Sequence, residues 1–203
     1  FFEQSGGSLS LFALNNLNHS LLGMPMDPNV VNNSSNSLFV ILFAPIFSAL
    51  WISLARRNLN PAAPLKFAFG LILMGLGFLF MVKAAGIVAG GTQSPAYFLI
   101  LTYLLHTFGE LCLSPVGLST VTKLAPARFV GQMMGVWFLA SSLGKLTAGL
   151  IAGSFDPTDL AGMPGRYLNI VIYGCSVGLV LLPGDNGVEA MITGVAGGKL
   201  SCV

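Results

Sequence analysis

Three ionisable residues, Glu3, Glu110 and Lys145, sit in stretches that are otherwise apolar. Where such a stretch crosses a bilayer, each of these groups costs roughly 2.5–3.5 kcal/mol, against about −0.3 to −0.6 kcal/mol for a Leu or Phe. Their presence therefore needs a chemical reason. Glu110 is the most informative. His106, Glu110 and Ser114 follow at i, i+4 and i+8, which predicts one helical stripe with Tyr103 and Gly117 beside it. Pro115 cannot donate to the carbonyl of Leu111, so the helix is expected to kink there and free a polar backbone group. A carboxylate on a polar stripe beside a broken helix reads as the wall of a wet cavity that holds a substrate amine or a proton. The structural alternative is a buried carboxylate paired to a basic residue of a missing segment, with only a structural role. His106 is either a proton relay or a group that hydrogen-bonds across helices.

Glu3 is placed equally well in a cavity or at an interface. Lys145 is either a snorkelling stem or the partner of a carboxylate. The run Asn32-Asn33-Ser34-Ser35-Asn36-Ser37 offers amides that bind a peptide-like ligand by donor and acceptor together, or that cap a helix. Trp137 lies inside an apolar stretch rather than at its edge, where it packs a core or lines a pocket. Enzyme motifs fail. Gly144-Lys145 and Gly198-Lys199 are each followed by Leu and lack the upstream glycine of a phosphate loop. There is no Gly-x-Ser-x-Gly, no His-Glu-x-x-His and no metal-type cysteine spacing. The expectation is no enzyme, no metal and no cofactor.

The elements that must position these residues follow from composition. Of 203 residues, 54% are apolar and only 8% charged, against about 25% charged in soluble domains. So few charges cannot coat a globule of this size, which rules out an ordinary cytosolic domain, a disordered chain and a disulfide-stapled module. A net charge of +2, scattered in short loops, gives no reason to expect nucleic-acid binding. Spanning the hydrocarbon takes about 20 apolar residues. That ruler predicts an all-α integral membrane chain with spans over about 1–14, 33–54, 65–88, 95–121, 129–153 and 167–182, together one transmembrane bundle over 1–182. The last span is marginal in length. Residues 183–203 are glycine-rich and charged, an atypical tail expected to be disordered. The chain opens on Phe1 rather than Met, so a cut amino terminus is expected. Glu110 stands 15 residues past Pro95, about 22 Å along a helix and so well inside the membrane.

Lys and Arg set the orientation. Arg56, Arg57, Lys66, Lys123 and Arg128 fall in one set of loops, and Lys83 and Arg166 in the other. The first set is therefore expected on the cytoplasmic side. Gly86–Gly90, Gly131–Gly135, Gly149–Gly153 and Gly174–Gly178 have the spacing that lets helices approach closely in lipid.

The run Gly109-Glu110-Leu111-Cys112-Leu113-Ser114-Pro115-Val116-Gly117-Leu118-Ser119, continued by Val121-Thr122-Lys123-Leu124-Ala125-Pro126, resembles the proton-dependent oligopeptide transporters (POT or PTR family) of the major facilitator superfamily. Met134-Gly135-Val136-Trp137-Phe138-Leu139, Phe2-Glu3-Gln4, Leu65-Lys66-Phe67-Ala68 and Gly75-Leu76-Gly77-Phe78 agree with it. The likeness covers residues 1–153 well and fades beyond. It implies a six-helix carboxyl-terminal bundle, helices seven to twelve of that fold, with the last helix truncated or aberrant. It also implies proton-coupled uptake of di- and tripeptides by alternating access, with protons as the coupling ion. The implied partners are a peptide, protons, the lipid bilayer and an amino-terminal six-helix bundle. The implied location is a bacterial inner or plasma membrane.

By the same resemblance, Glu110 matches the helix-ten glutamate that attracts the peptide amine and pairs with a basic residue of the other half. Glu3 matches the helix-seven acid linked to proton coupling. Asn36 matches the helix-eight asparagine that contacts the peptide backbone, and Trp137 the pocket tryptophan of helix eleven. Ser114 and Pro115 fall at the family's helix-ten break. Asn33 stands where a Gln is common, and Lys145 where an Asn is common. The family's Glu-x-x-Glu-Arg motif of helix one has no counterpart in this chain. A same-fold carrier of another small solute, such as nitrate or a modified peptide, is the alternative, as is a half-transporter with no activity of its own.

Overall fold

The computed structural model describes residues 8–17, 20–21, 24–25, 27–57, 59, 61, 63–153 and 161–182. Six helices account for nearly all of them: α1 (Ser8–Asn16), α2 (Pro28–Arg56), α3 (Ala63–Ala89), α4 (Tyr97–Leu124), α5 (Val130–Gly153) and α6 (Met163–Leu181). Four contain stretches long and apolar enough to cross a membrane: Ser34–Arg56, Ala63–Ala89, Tyr97–Lys123 and Val130–Gly153. Helices satisfy their own backbone groups, which lipid cannot do. Between α1 and α2 lies a hairpin of two two-residue strands, β1 (Ser20–Leu21) and β2 (Met24–Pro25), which an all-α reading does not anticipate.

Two helices start earlier than hydropathy alone marks them. Helix α2 begins at Pro28 and takes the amide run 32–37 into its first turns, because proline is well suited to a helix start. Helix α6 begins at Met163, with Pro164 in its first turn, and so gains about one turn over a start at Tyr167. The amino-terminal residue Glu3 and the tail 183–203 lie outside the described residues.

Helix α3 is the hub. On one side it meets α4 through backbone-to-backbone approach. A Cβ added at Gly70 would lie 2.9 Å from the Gly109 carbonyl, and one at Gly109 would lie 2.7 Å from the Gly70 carbonyl. On the other side it meets α6, where a Cβ at Gly75 would lie 2.9 Å from Cys175 Sγ and one at Gly178 would lie 2.7 Å from Ile72 Cγ1. Small residues at crossings are how helices associate in lipid, where no hydrophobic drive separates them from their solvent. Of the glycine pairs marked by spacing, only Gly174–Gly178 does this, with both residues buried in α6. Gly86, Gly131, Gly135, Gly149 and Gly153 meet nothing within 4 Å. Besides Gly178, the glycines at the crossings of α3 with α4 and α6 are Gly70, Gly75, Gly77 and Gly109.

The buried cluster joins Leu9, Phe12, Ala13, Phe78, Met81, Leu99, Tyr103 and Tyr167, among others. Aromatic rings thread it from helix to helix. Phe12 meets Tyr167 edge-on at 6.1 Å, Tyr167 stacks on Phe78 at 6.3 Å, and Phe78 lies 4.7 Å from His106. At the same end the Ser94 N–H donates to the Asn16 carbonyl at 2.9 Å and ties the start of α4 to the end of α1. At the opposite end Lys66 is buried with its ammonium 4.5 Å from the Trp51 ring centroid, a cation–π contact that shelters the charge inside α3.

Candidate functional site

Helix α4 presents three faces to three neighbours. Successive residues turn by about 100° on an α-helix, so neighbouring faces adjoin one another. Thr102, His106, Gly109 and Leu113 face α3: Thr102 Oγ1 donates to the Gly77 carbonyl at 3.2 Å, and a Cβ at Gly77 would lie 2.7 Å from His106 Cδ2. Phe108 faces α2, with its ring 4.9 Å from Phe43 and 5.3 Å from Phe47. Thr107, Glu110, Ser114 and Gly117 recur at i, i+3, i+7 and i+10 on an adjoining stripe, where Glu110 stands about 40° round the helix from His106 and about 60° from Thr107.

His106 keeps its place one turn before Glu110, at the edge of the stripe that turns toward α3. It is completely buried between α3 and α4, against Phe78 and within reach of the Met74 backbone of α3. Glu110 and Ser114 stay on the stripe, both half-buried. Helix α4 does not end at Pro115, which is exposed inside a helix that continues to Leu124.

Asn36 reaches this stripe from α2. Its Oδ1 lies 2.8 Å from the hydroxyl of Thr107, one helical turn before Glu110. Thr107 is wholly buried and its hydroxyl is also 2.8 Å from the Tyr103 carbonyl. Sequence reasoning missed Thr107. The available signal was its spacing of three from Glu110, which puts it on the same face.

Trp137 reaches the stripe from α5. Its ring edge lies against Gly117, where any Cβ would collide with it. The other side of Trp137 lines a cleft of about 520 Å³ with Thr120, Val121, Phe129, Met133 and Val136. That cleft is almost entirely apolar, and neither Glu110 nor Asn36 lines it. Lys145 is exposed on α5. The described structure thus brings Asn36 to the stripe through Thr107, places Glu110 and Ser114 on it and sets Trp137 at its far end. Glu3 is the candidate it does not describe. Among the described residues no group of three or more His, Cys, Asp or Glu could hold a metal ion.

The POT family profile matches residues 1–166. The chain belongs to the POT family. The peptide transporter YePEPT of Yersinia enterocolitica is 42% identical over 185 residues, 89% of this chain and 36% of its own. Dipeptide and tripeptide permease B of Aeromonas hydrophila is 35% identical over 154 residues, 74% of this chain and 30% of its own. A crystal structure of a POT peptide transporter with alafosfalin superposes with a TM-score of 0.81 at 32% identity, over 95% of this chain and 38% of that one. A POT family transporter with 5-aminolevulinic acid superposes at 0.80 and 28% identity, over 92% of this chain and 38% of that one. The chain therefore spans about a third of the length of the relatives it matches. Its fold is the all-helical, multi-pass membrane fold of POT transporters, and these relatives are transporters rather than enzymes.

Proposed function

We propose that this POT chain is the carboxyl-terminal six-helix bundle of a proton-coupled symporter for di- and tripeptides, completed by an amino-terminal bundle. A peptide zwitterion is too costly to pass bare through hydrocarbon, so a carrier must hold its charges in a shielded hollow. Glu110 receives the peptide amine. Asn36 and Ser114 supply polar contacts beside it, and Trp137 closes one side. Protonation of a carboxylate, at Glu110 or at Glu3, weakens its grip and its pairing across the bundles, which couples proton entry to alternating access. Protons are the only coupling species this scheme needs, and the proposed setting is a bacterial inner or plasma membrane.

The observation that supports this reading is the half-buried Glu110 on the α4 face whose Thr107 is bonded to Asn36. The test is Glu110→Gln in a transporter assembled from this chain and an amino-terminal POT bundle. Concentrative, proton-driven dipeptide uptake is expected to disappear, and uptake that continues against a gradient refutes the role. A same-fold carrier of another amine-bearing solute is the second reading, favoured by the relative that binds 5-aminolevulinic acid. Competition by unlabelled dipeptides separates the two.

A further inference from the structure

Thr107 poses a question of hydrogen counting. Its hydroxyl lies 2.8 Å from Asn36 Oδ1 and 2.8 Å from the Tyr103 carbonyl oxygen, and both of these are acceptors. A hydroxyl carries one proton. Thr107 is fully buried, so water does not supply what is missing. One arrangement makes both contacts full hydrogen bonds. The Thr107 O–H donates to the Tyr103 carbonyl, and the Asn36 amide is turned end for end, so that its Nδ2–H donates to Thr107 Oγ1. The oxygen and nitrogen of an amide are nearly equal in size, so hydrogen bonding alone decides between the two orientations.

We infer that Thr107 is a positioning residue that fixes the polarity of Asn36, holding its amide nitrogen against α4 and turning its carbonyl oxygen outward as an acceptor. The two terminal atoms of an amide diverge, so the oxygen then points away from Thr107. Glu110 stands one turn further along the same face of α4 and is also an acceptor. The two together suit an ammonium group, which has donors only. An Asn36 held the other way would present a donor and favour a carbonyl or carboxylate instead. The inference rests on the reading of Asn36 and Glu110 as substrate contacts, and it adds which residue sets their shared preference for an amine.

The first measurement uses the chain itself in lipid nanodiscs with 15N-labelled asparagine. One Asn36 Nδ2 proton is expected to be protected from exchange in the native chain and in Thr107→Ser, and to lose that protection in Thr107→Val. Equal protection in the native chain and Thr107→Val overturns the assigned orientation. The second measurement uses the assembled transporter and two competitors, a dipeptide and its des-amino analogue. Thr107→Val is expected to weaken the dipeptide about two- to tenfold, the worth of one ordinary hydrogen bond. It should leave the des-amino analogue unchanged, and Thr107→Ser should restore the native value. Equal weakening of both competitors, or of neither, overturns the inference. An Asn36→Ala variant with native dipeptide affinity overturns instead the reading of Asn36 as a substrate contact, while the exchange result still decides the orientation.

Discussion

At Gly77 a Cβ would stand 2.7 Å from His106 Cδ2, 3.0 Å from His106 Nε2 and 3.3 Å from the Thr102 carbonyl. The imidazole cannot retreat, because Phe78 lies against it and the residue is wholly buried. Gly77→Ala is expected to destabilise the bundle by about 1–3 kcal/mol, the usual cost of overpacking. Gly86 lies in the same helix with nothing within 4 Å. Gly86→Ala should be neutral or stabilising by up to about 1 kcal/mol through helix propensity. Thermal unfolding of the two variants in one detergent checks the pair, and equal effects would contradict the packing. This contrast explains a limit of sequence reading. Gly86 belongs to a small-residue pair by spacing and Gly77 to none of the marked pairs, yet only Gly77 is at a crossing. Spacing identifies a smooth helix face but not whether a partner covers it. The same limit left two readings of His106 open. It shares a stripe with Glu110 by sequence, but the α3 crossing at Gly70 and Gly109 fixes the rotation of α4 so that His106 points into the contact. Glu110 was legible because a charge in a span demands a reason. Thr107 was not, because a threonine in a helix commonly bonds only its own backbone.

Helix α2 meets α4 along an aromatic seam, α3 through the Trp51–Lys66 contact and the buried cluster through Phe39. Phe108 of α4 sits against Phe43 and Phe47, and Thr107, next to Phe108 in the chain, meets Asn36 two turns before Phe43. Much of the described surface of α2 is apolar and exposed, with Ile41 75% and Leu38 62% accessible. Phe108→Ala is expected to loosen α2 without unfolding α3, α4 and α6, which do not depend on that ring. Cysteine labelling at Ala44 of α2, half-buried in the native chain, should then speed up while labelling at Ala85, buried in α3, stays slow. Uniform acceleration at both positions would mean that the seam holds the whole bundle. The existence of the long helices was legible because hydropathy and length suffice for that. Their starts were less so, since Pro28 and Met163 lie in polar or mixed sequence where local helix-start chemistry decides. The short pairing of β1 with β2 left no hydropathy signal.

As a whole, the molecule carries one wall of the proposed hollow. Glu110, Ser114 and Asn36 are only half-covered by the described helices, and Thr107 is buried behind Asn36. Reconstituted alone in vesicles, the chain is expected to give no peptide uptake above empty vesicles. Co-expression with an amino-terminal POT bundle should restore it. Uptake by the chain alone would overturn the two-bundle proposal.

Packing is also uneven from end to end. The buried cluster gathers around Phe12, Phe78, Leu99 and Tyr167, toward the end of Asn16, Ser94 and Met163. The end of Arg57 and Arg128 has no share in it. A bundle built this way is expected to behave like tongs, with the ends of α2 and α5 parting while α3 and α4 stay joined through Gly70 and Gly109. Spin labels placed at Gln93 and Ala161 should report one narrow distance, and labels at Arg57 and Arg128 a broad spread, so that thermal motion alone already rehearses an opening on the basic side.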